Sequence, residues 1–375
     1  MQNALVERAR RLGRLLQQCF KDESGCLAQA AEKTISDRLF PEDDVHFALR
    51  HLQASTTTEH LAGWLEQLFQ DDGFTAPTSA PERVLCLHAG NLPLVGFQDV
   101  AAVLLSGNEY HGKISSKDPY LLPALLDQLA DSGAFGPLRY TTSFDTFAGL
   151  SADRVMFSGS GKNLQRIMQR LQDACMTHDK TAFLVRTAHT SAACIDPDAI
   201  TQENLPAFFE ALFQYQGKGC RSLNTIFTPR PEALLDIIRR EQEQHFPAHP
   251  YTGTVISRET PSPEIHYLAA FNEAVQRPYA RIGGFIVQIS DPQPETERLI
   301  SITRDGTMEK LNAFVEKSGA DLQSVYTLGT KRGQHHKSVP FEPLKEAQRP
   351  PLCWTPDGTD PLRWLLTEQK ASQPV

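Results

Sequence analysis

No stretch of the chain approaches the roughly 20 consecutive apolar residues that a helix needs to cross a bilayer, so no membrane span is expected. An excess of positive charge is also missing: 37 Lys and Arg against 45 Asp and Glu leave a formal net charge of −8. A dedicated nucleic-acid binder needs a basic face to meet phosphates, and that function class is set aside. Paired cysteines are absent as well. The seven cysteines, at 19, 26, 86, 175, 194, 220 and 353, are odd in number and scattered, with no C-x-x-C pair. That pattern argues against a disulfide scaffold or a cysteine zinc site and fits reduced thiols in a cytoplasmic protein, one of which can serve as a nucleophile. There is no internal repeat and no low-complexity tract. The first residues, MQNALVERARRLGRLLQQCF, alternate charged and apolar side chains without an uninterrupted apolar core and are not read as a secretion signal.

What is present is an ordinary globular mixture, 40% hydrophobic and 22% charged over 375 residues, a length that suggests two or three domains at about 150 residues each. The first ~70 residues read as helices, with one stripe through Leu5, Ala9, Leu12, Leu15 and Leu16 and another through Leu61, Leu65 and Leu68. The Gly/Pro/Thr/Ser cluster DDGFTAPTSAPER (71–83) marks a boundary before a buried strand, VLCLHAG (84–90). From there strand and helix alternate. A helix over 94–105 closing at Gly107, the strand HGKIS, the helix YLLPALLDQLADSG, a strand at 154–157 and a helix over 163–175 come first. The strands TAFLVR and SAACI, a helix over 206–215, the strand SLNTIFTP and the helix EALLDIIRREQEQHF follow. Such alternation predicts parallel α/β sheets with ligands at the carboxyl ends of the strands. The domains are expected at 1–75 (a helical N-terminal extension), 76–185 (cofactor-binding), 186–335 (catalytic) and 336–375 (a proline-rich segment returning across an earlier domain).

Several residues stand out chemically, each with a plain structural alternative. Cys220, in GKGCRS, has glycines at 217 and 219 that let substrate approach closely and leave a backbone N–H free for an oxyanion; a buried core cysteine is the alternative. Asn91, after a strand, is either a turn former or a side-chain amide donor. The turn Ser158-Gly159-Ser160-Gly161 precedes a helix whose N-terminus can cradle a pyrophosphate, or is simply a loop. Lys113, at the end of a strand, reads on its own as a solvated lysine.

The segment LHAGNLPLVGFQDVAAVLLSGNEYHGKISSKDP (87–119) resembles the cofactor-domain entry of the aldehyde dehydrogenase superfamily, with its Asn-x-Pro-Leu loop, helix ending in Gly-Asn, and following strand with Lys-x-Ser. Within it, the wording GN-x-PLV and K-x-SS-K-DP is most similar to the bacterial fatty-acyl-CoA reductases (the LuxC family). MFSGSGK (156–162) resembles the superfamily's phosphate turn and GKGCRSLNTIF (217–227) its nucleophile segment. VPFEPLKEAQRPPLCWTPDGTDPLRWL resembles the family's C-terminal signature. The resemblance implies an aldehyde dehydrogenase-like α/β fold of two domains, each with a mainly parallel sheet flanked by helices. It implies Cys220 as the thiolate that accepts the acyl group, Asn91 as an oxyanion donor, and Lys113, Ser115, Ser116, Ser158, Gly159 and Ser160 as cofactor-binding residues. Fatty acyl-CoA or an acyl carrier would be the substrate, and homo-oligomers and an acyl-activating partner enzyme are further implications. NAD-preferring relatives often carry an acid where Ser116 stands among Lys113, Ser115 and Lys117, which favours NADPH over NADH.

Three departures bear on the chemistry. Hydrolytic aldehyde dehydrogenases carry a glutamate base where alignment on TSAACI puts Arg186, so water would be a poor acceptor for the acyl-enzyme unless Glu259 or Glu264 reaches in. The nucleophile is followed by Arg221-Ser222-Leu223-Asn224, and the terminal element TPDGTDP lacks the usual tyrosine-alanine. Arg221 and the missing terminal tyrosine motivate one rival, an idle acyl-binding subunit; a rival within the superfamily is reduction of an acyl phosphate. Metal sites at His335-His336 or at His245 and His249 are not expected, because adjacent histidines diverge and Pro247 interrupts the second pair. Lys331-Arg332-Gly333 reads as a solvated loop.

Overall fold

The structure is a computed structural model that describes residues 2–70, 74, 80–245, 263–293, 298–329 and 339–367, with backbone alone for 243–245. The chain divides into two compact units, Met1–Thr187 with Pro351–Val375, and Ala188–Pro350.

The first unit opens with four helices, α1 (Gln2–Lys21), α2 (Cys26–Ser36), α3 (Glu42–Ser55) and α4 (Thr58–Phe69). The apolar stripes of α1 and α4 are buried through Leu5, Ala9, Leu12 and Leu16 and through Leu61, Trp64, Leu65 and Leu68, as helical spacing requires. Then come β1 (Arg83–Leu87), α5 (Phe97–Ser106), β2 (Glu109–Lys113), α6 (Leu121–Asp131), β3 (Leu138–Thr141), β4 (Ala152–Ser158), α7 (Gly161–Asp173) and β5 (Thr177–Arg186). Among the described residues the strands form one parallel sheet in the order β3-β2-β1-β4-β5. Side chains of β1 alternate between two cores: Val84 and Cys86 join the helices α1, α4, α5 and α6, whereas Leu85 and Leu87 join Val155, Phe157 and Leu171 on the opposite face. A strand buried on both faces carries a continuous apolar run, which is why β1 is visible in the sequence. It ends at Leu87, short of the expected 90, because the chain turns there into the Asn91 loop. Helix α5 closes on Gly107 at φ 84°, the left-handed cap that glycine tolerates. The edge strand β3 carries few apolar residues and gave no periodic signal.

The second unit runs β6 (Thr190–Ile195), α8 (Leu205–Phe213), β7 (Leu223–Phe227), α9 (Pro231–His245), α10 (Pro263–Ala274), β8 (Tyr279–Ile282), β9 (Phe285–Ile289), β10 (Leu299–Ile302), α11 (Met308–Ser318), β11 (Leu322–Leu328) and β12 (Phe341–Pro343). Its sheet order is β12-β11-β6-β7-β10-β9-β8, parallel except for the terminal β8–β9 pair. Two cores cover its faces, one with Ala193, Ile195, Phe208, Leu212 and Ile238, the other with Ala192, Cys194, Leu311 and Val325. The last segment returns to the first unit, where α12 (Pro361–Leu365) buries Leu362, Trp364 and Leu365 in the α1–α5 core. Asp360 caps α12 by accepting from the Leu362 amide at 2.8 Å and accepts from the Trp64 indole at 3.0 Å. The DGTD element thus has a structural task. No helix among the described residues is long and apolar enough to cross a membrane.

Candidate active site

The first unit gathers its candidate residues along one edge of its sheet. Register places Leu87 opposite Lys113 and Phe157, and Ser158 opposite Arg186, so the loops after β1, β2, β4 and β5 leave side by side. The strand order reverses between β1 and β4, and this is the switch point where open parallel sheets bind ligands. After β4, Ser160 caps α7 by accepting from the Lys162 amide at 3.3 Å, and the Gly159 amide donates to the Arg186 carbonyl at 3.2 Å. The turn Ser158–Gly161 therefore sits at the N-terminus of a 13-residue helix, an anion-attracting place.

Lys113 ends β2. Its half-buried ammonium lies 5.4 Å from the centre of the Phe144 ring, whose other cation is Arg170 at 4.7 Å. Burial and the nearby Arg170 charge push the Lys113 ammonium below its ordinary value. No described carboxylate pairs with it, although Arg170 pairs with Asp145 at 3.1 Å. A partly desolvated cation beside a second cation favours an incoming anion. Ser116 is exposed on the turn that follows; Ser115 is half-buried and lies under the Asn91 loop, its Oγ 2.2 Å from where a Cβ on Gly90 would stand.

Asn91 is exposed in that loop. The loop's far end is tied down by Asp118, which accepts from the Leu94 amide at 2.9 Å and from the Leu121 amide at 3.3 Å. Beneath it lies a buried polar cluster. His88 hydrogen-bonds the Tyr110 hydroxyl at 2.7 Å and has its Nδ1 3.9 Å from Asp99. Asp99 in turn pairs with Arg186. Burial pushes His88 down to about 4 despite the Asp99 charge, so its imidazole is neutral at pH 7. Arg186 is 7% exposed; burial works against its charge, but the Asp99 carboxylate holds it above its ordinary value. The position that the resemblance assigns to a water-activating base is thus a buried cation with its own counter-ion. Glu264 is exposed at the start of α10, and Glu259 lies outside the described residues.

The second unit holds Cys220. Between α8 and β7 the chain passes through successive left-handed residues, Tyr215 (φ 54°), Gln216 (φ 56°) and Gly217 (φ 71°). Two of these are not glycine, and each such residue costs on the order of 1 kcal/mol. Arg298 holds this conformation from outside by donating to the Gln216 side chain at 2.6 Å; nearer the cysteine, Ser191 Oγ donates to the Cys220 carbonyl at 2.8 Å and the Ser222 amide returns to the Gly219 carbonyl at 2.9 Å. Arg221 is buried and donates to the carbonyls of Ala347 at 2.9 Å and Glu346 at 2.7 Å, with Glu342 at 3.4 Å and the Tyr326 ring 5.3 Å away. Cys220 itself is half-buried, whereas Cys19, Cys86 and Cys194 are buried. The residue that looked like a departure, Arg221, anchors the segment carrying the thiol.

Sequence reasoning did not find His88, Tyr110, Asp99 or Asp118. The only available sign was Asp before Pro after two serines, a pattern that turns and caps share. His249, His335, His336, Lys337 and Lys331–Gly333 lie outside the described residues, as does the side chain of His245. No cluster of three metal-ligating side chains occurs among the described residues.

No family model and no curated protein matches the sequence. Solved structures do match. A methylmalonate-semialdehyde dehydrogenase from Oceanimonas doudoroffii aligns over 100% of this chain and 91% of its own, at 14% identity and a TM-score of 0.62. Aldehyde dehydrogenase 21 from Physcomitrella patens, in complex with succinate, aligns over 90% and 77%, at 12% identity and a TM-score of 0.61. A Sinorhizobium meliloti protein complexed with NAD aligns over 89% and 75%, at 17% identity and a TM-score of 0.57. The two sheets with their flanking helices are therefore the aldehyde dehydrogenase fold.

Proposed function

We propose that this chain is an oxidoreductase of the aldehyde dehydrogenase type that reduces a fatty acyl thioester to the aldehyde through an acyl-Cys220 intermediate, as the LuxC-like acyl-CoA reductases do. The observation that carries the reading is the segment 215–222. Consecutive left-handed residues held in place, with residues 220–222 each tied down, support the reading of Cys220 as the reacting thiol. A core cysteine needs none of this.

The chemistry follows from the residues. The Cys220 thiolate attacks the thioester carbonyl, and the Asn91 amide with a backbone N–H stabilises the oxyanion, each such donor being worth about 10²–10³ in rate. The carbonyl re-forms as the carrier C–S bond breaks, and the carrier leaves as a thiolate that takes a proton from solvent. Arg186 offers no carboxylate to activate water, so the acyl-cysteine persists. A dinucleotide fits the first unit: the α7 N-terminus for its pyrophosphate, Lys113 for the ribose end, Ser115 and Ser116 beside it in place of an acid. When bound, the reduced nicotinamide supplies the hydride that the acyl carbon needs. The resulting thiohemiacetal on Cys220 then collapses, breaking the C–S bond, releasing aldehyde and restoring the thiolate. No step calls for a metal.

The unpaired Lys113 ammonium beside Arg170 favours NADPH, whose additional phosphate it can meet, with NADH as the weaker cofactor. A cytoplasmic homo-oligomer receiving acyl groups from CoA, an acyl carrier or an activating partner enzyme completes the reading.

Incubation with radiolabelled fatty acyl-CoA should label the protein, and NADPH should discharge the label as aldehyde without added phosphate. Cys220→Ser should remove it. No label on the wild-type chain would favour an idle acyl-binding subunit, release of free acid without cofactor a thioesterase, and reduction of acyl phosphate alone the acyl-phosphate rival. Turnover with the two cofactors at equal concentration tests the NADPH preference, which a faster rate with NADH would overturn.

A further inference from the structure

Asp118, which ties down the far end of the Asn91 loop, has no part in the chemistry proposed above. It is 4% exposed, and its two oxygens are divided between two chain segments: Oδ2 accepts from the Leu94 amide at 2.9 Å, in the Asn91 loop, and Oδ1 from the Leu121 amide at 3.3 Å, at the start of α6. The loop it grips is not relaxed, because Leu94 stands at φ 56°, a conformation unfavourable to a side chain of this size. The turn 115–118 is itself closed, by the Asp118 amide on the Ser115 carbonyl at 3.2 Å and the Lys117 amide on Ser115 Oγ at 3.2 Å. Its Ser115 Cβ and Oγ press directly on Gly90, where a Cβ would stand 2.3 and 2.2 Å away. Asn91 is thus held between a contact at residue 90 and a tether at residue 94, both supplied by one turn.

We propose that Asp118 is a positioning residue: through the Leu94 amide it sets the loop after β1 in the conformation that presents the Asn91 side chain. The inference rests on the reading of Asn91 as the oxyanion donor. Only a carboxylate can answer both amides. An asparagine has one acceptor atom, and its NH₂ would face an N–H. Burial, opposed by those two amides, raises Asp118 to about 6. The titratable groups on the surrounding elements are otherwise engaged: His88 with Tyr110 and Asp99, Lys113 over Phe144, Tyr120 with Asp37 at 2.8 Å, and Lys117 exposed. Acid therefore removes one acceptor and loosens the grip.

The test combines hydrogen exchange with turnover on the full chain. In Asp118→Asn, amide exchange in the peptide spanning residues 89–97 should accelerate tenfold or more while the α1–α4 peptides stay unchanged. Turnover with acyl-CoA and NADPH should fall ten- to hundredfold with the KM for NADPH within twofold. The wild-type decline of turnover below pH 6 should flatten. Asn91→Ala with Asp118→Asn should be no slower than Asn91→Ala alone, since both act through one donor. Gly90→Ala, which pushes the same loop off Ser115, should reproduce the exchange and turnover effects if Asp118→Asn fails to fold. Unchanged exchange at 89–97 would overturn the tether. Accelerated exchange with undiminished turnover, or losses that multiply in the double variant, would overturn the positioning role. A wild-type chain with no turnover refutes the acyl reductase reading, while the exchange measurement still decides whether Asp118 holds the loop.

Discussion

Neutralising Asp99 perturbs the first unit in a way whose size can be worked out. Asp99 is 3% exposed and is the counter-ion of Arg186, which is 7% exposed and has a buried Nε without a hydrogen-bond partner among the described residues. Asp99→Asn keeps the shape but takes the hydrogen-bonded counter-ion from a buried guanidinium, leaving it the Asp357 charge alone, at a cost of about 3–5 kcal/mol. For a unit of this size each kcal/mol moves the melting temperature by about 2–4 °C, so a drop of roughly 6–20 °C is expected. All three tryptophans, 64, 354 and 364, belong to the first unit, so their fluorescence reports its unfolding. Arg186→Met should be comparably harmful, because it strands Asp99. The double variant removes both charges and should recover to within about 1–2 kcal/mol of the wild type, since a buried pair is often replaceable by apolar residues. A shift of only a degree or two for Asp99→Asn, or a double variant showing the sum of both losses, would refute the idea that this pair is mutually compensating. On the proposed reading the pair also bears on the cofactor, because the Arg186 carbonyl accepts the Gly159 amide of the Ser158–Gly161 turn. Asp99→Asn should therefore weaken NADPH binding as well.

Two further expectations follow from buried groups. His88 is held neutral, lowered from 6.5 to about 4, so the unfolded chain binds the extra proton between those values. Stability from this group is complete above pH 6.5 and is lost as pH falls towards 4, by about 3 kcal/mol; urea titrations should show that His88→Gln lacks this acid-sensitive component, and an unchanged pH dependence would count against a buried neutral imidazole. Arg221→Met leaves the Glu346 and Ala347 carbonyls without their donor. It should slow acylation of Cys220 at least tenfold in a quench experiment while leaving the KM for NADPH within twofold, with Arg221→Lys intermediate; wild-type acylation in Arg221→Met would remove the anchoring role.

Local signals made part of this legible. The apolar run of β1, the Gly107 cap and the Ser160 turn before α7 each depend on a few neighbouring residues; each element is present, the cap at the expected residue, β1 three residues shorter at its end and α7 two residues earlier at its start. The remainder depends on partners distant in sequence. Asp118 acts on Leu94 across 24 residues, Arg186 on Asp99 across 87, and Arg221 on Ala347 across 126; no spacing rule connects them. Tyr215 and Gln216 adopt left-handed backbone without the glycine that usually signals it, because tertiary contacts such as Arg298 on Gln216 hold them. Arg221 could be seen only as a departure from a pattern. Its meaning comes from the carbonyls it reaches.

The most direct measurement is the intact mass and peptide map of the chain after exposure to a fatty acyl-CoA, and again after NADPH. One acyl mass on the peptide containing Cys220, disappearing as a stoichiometric amount of aldehyde is formed, is the expected result. An unmodified Cys220 peptide in a chain that nonetheless makes aldehyde would contradict the account.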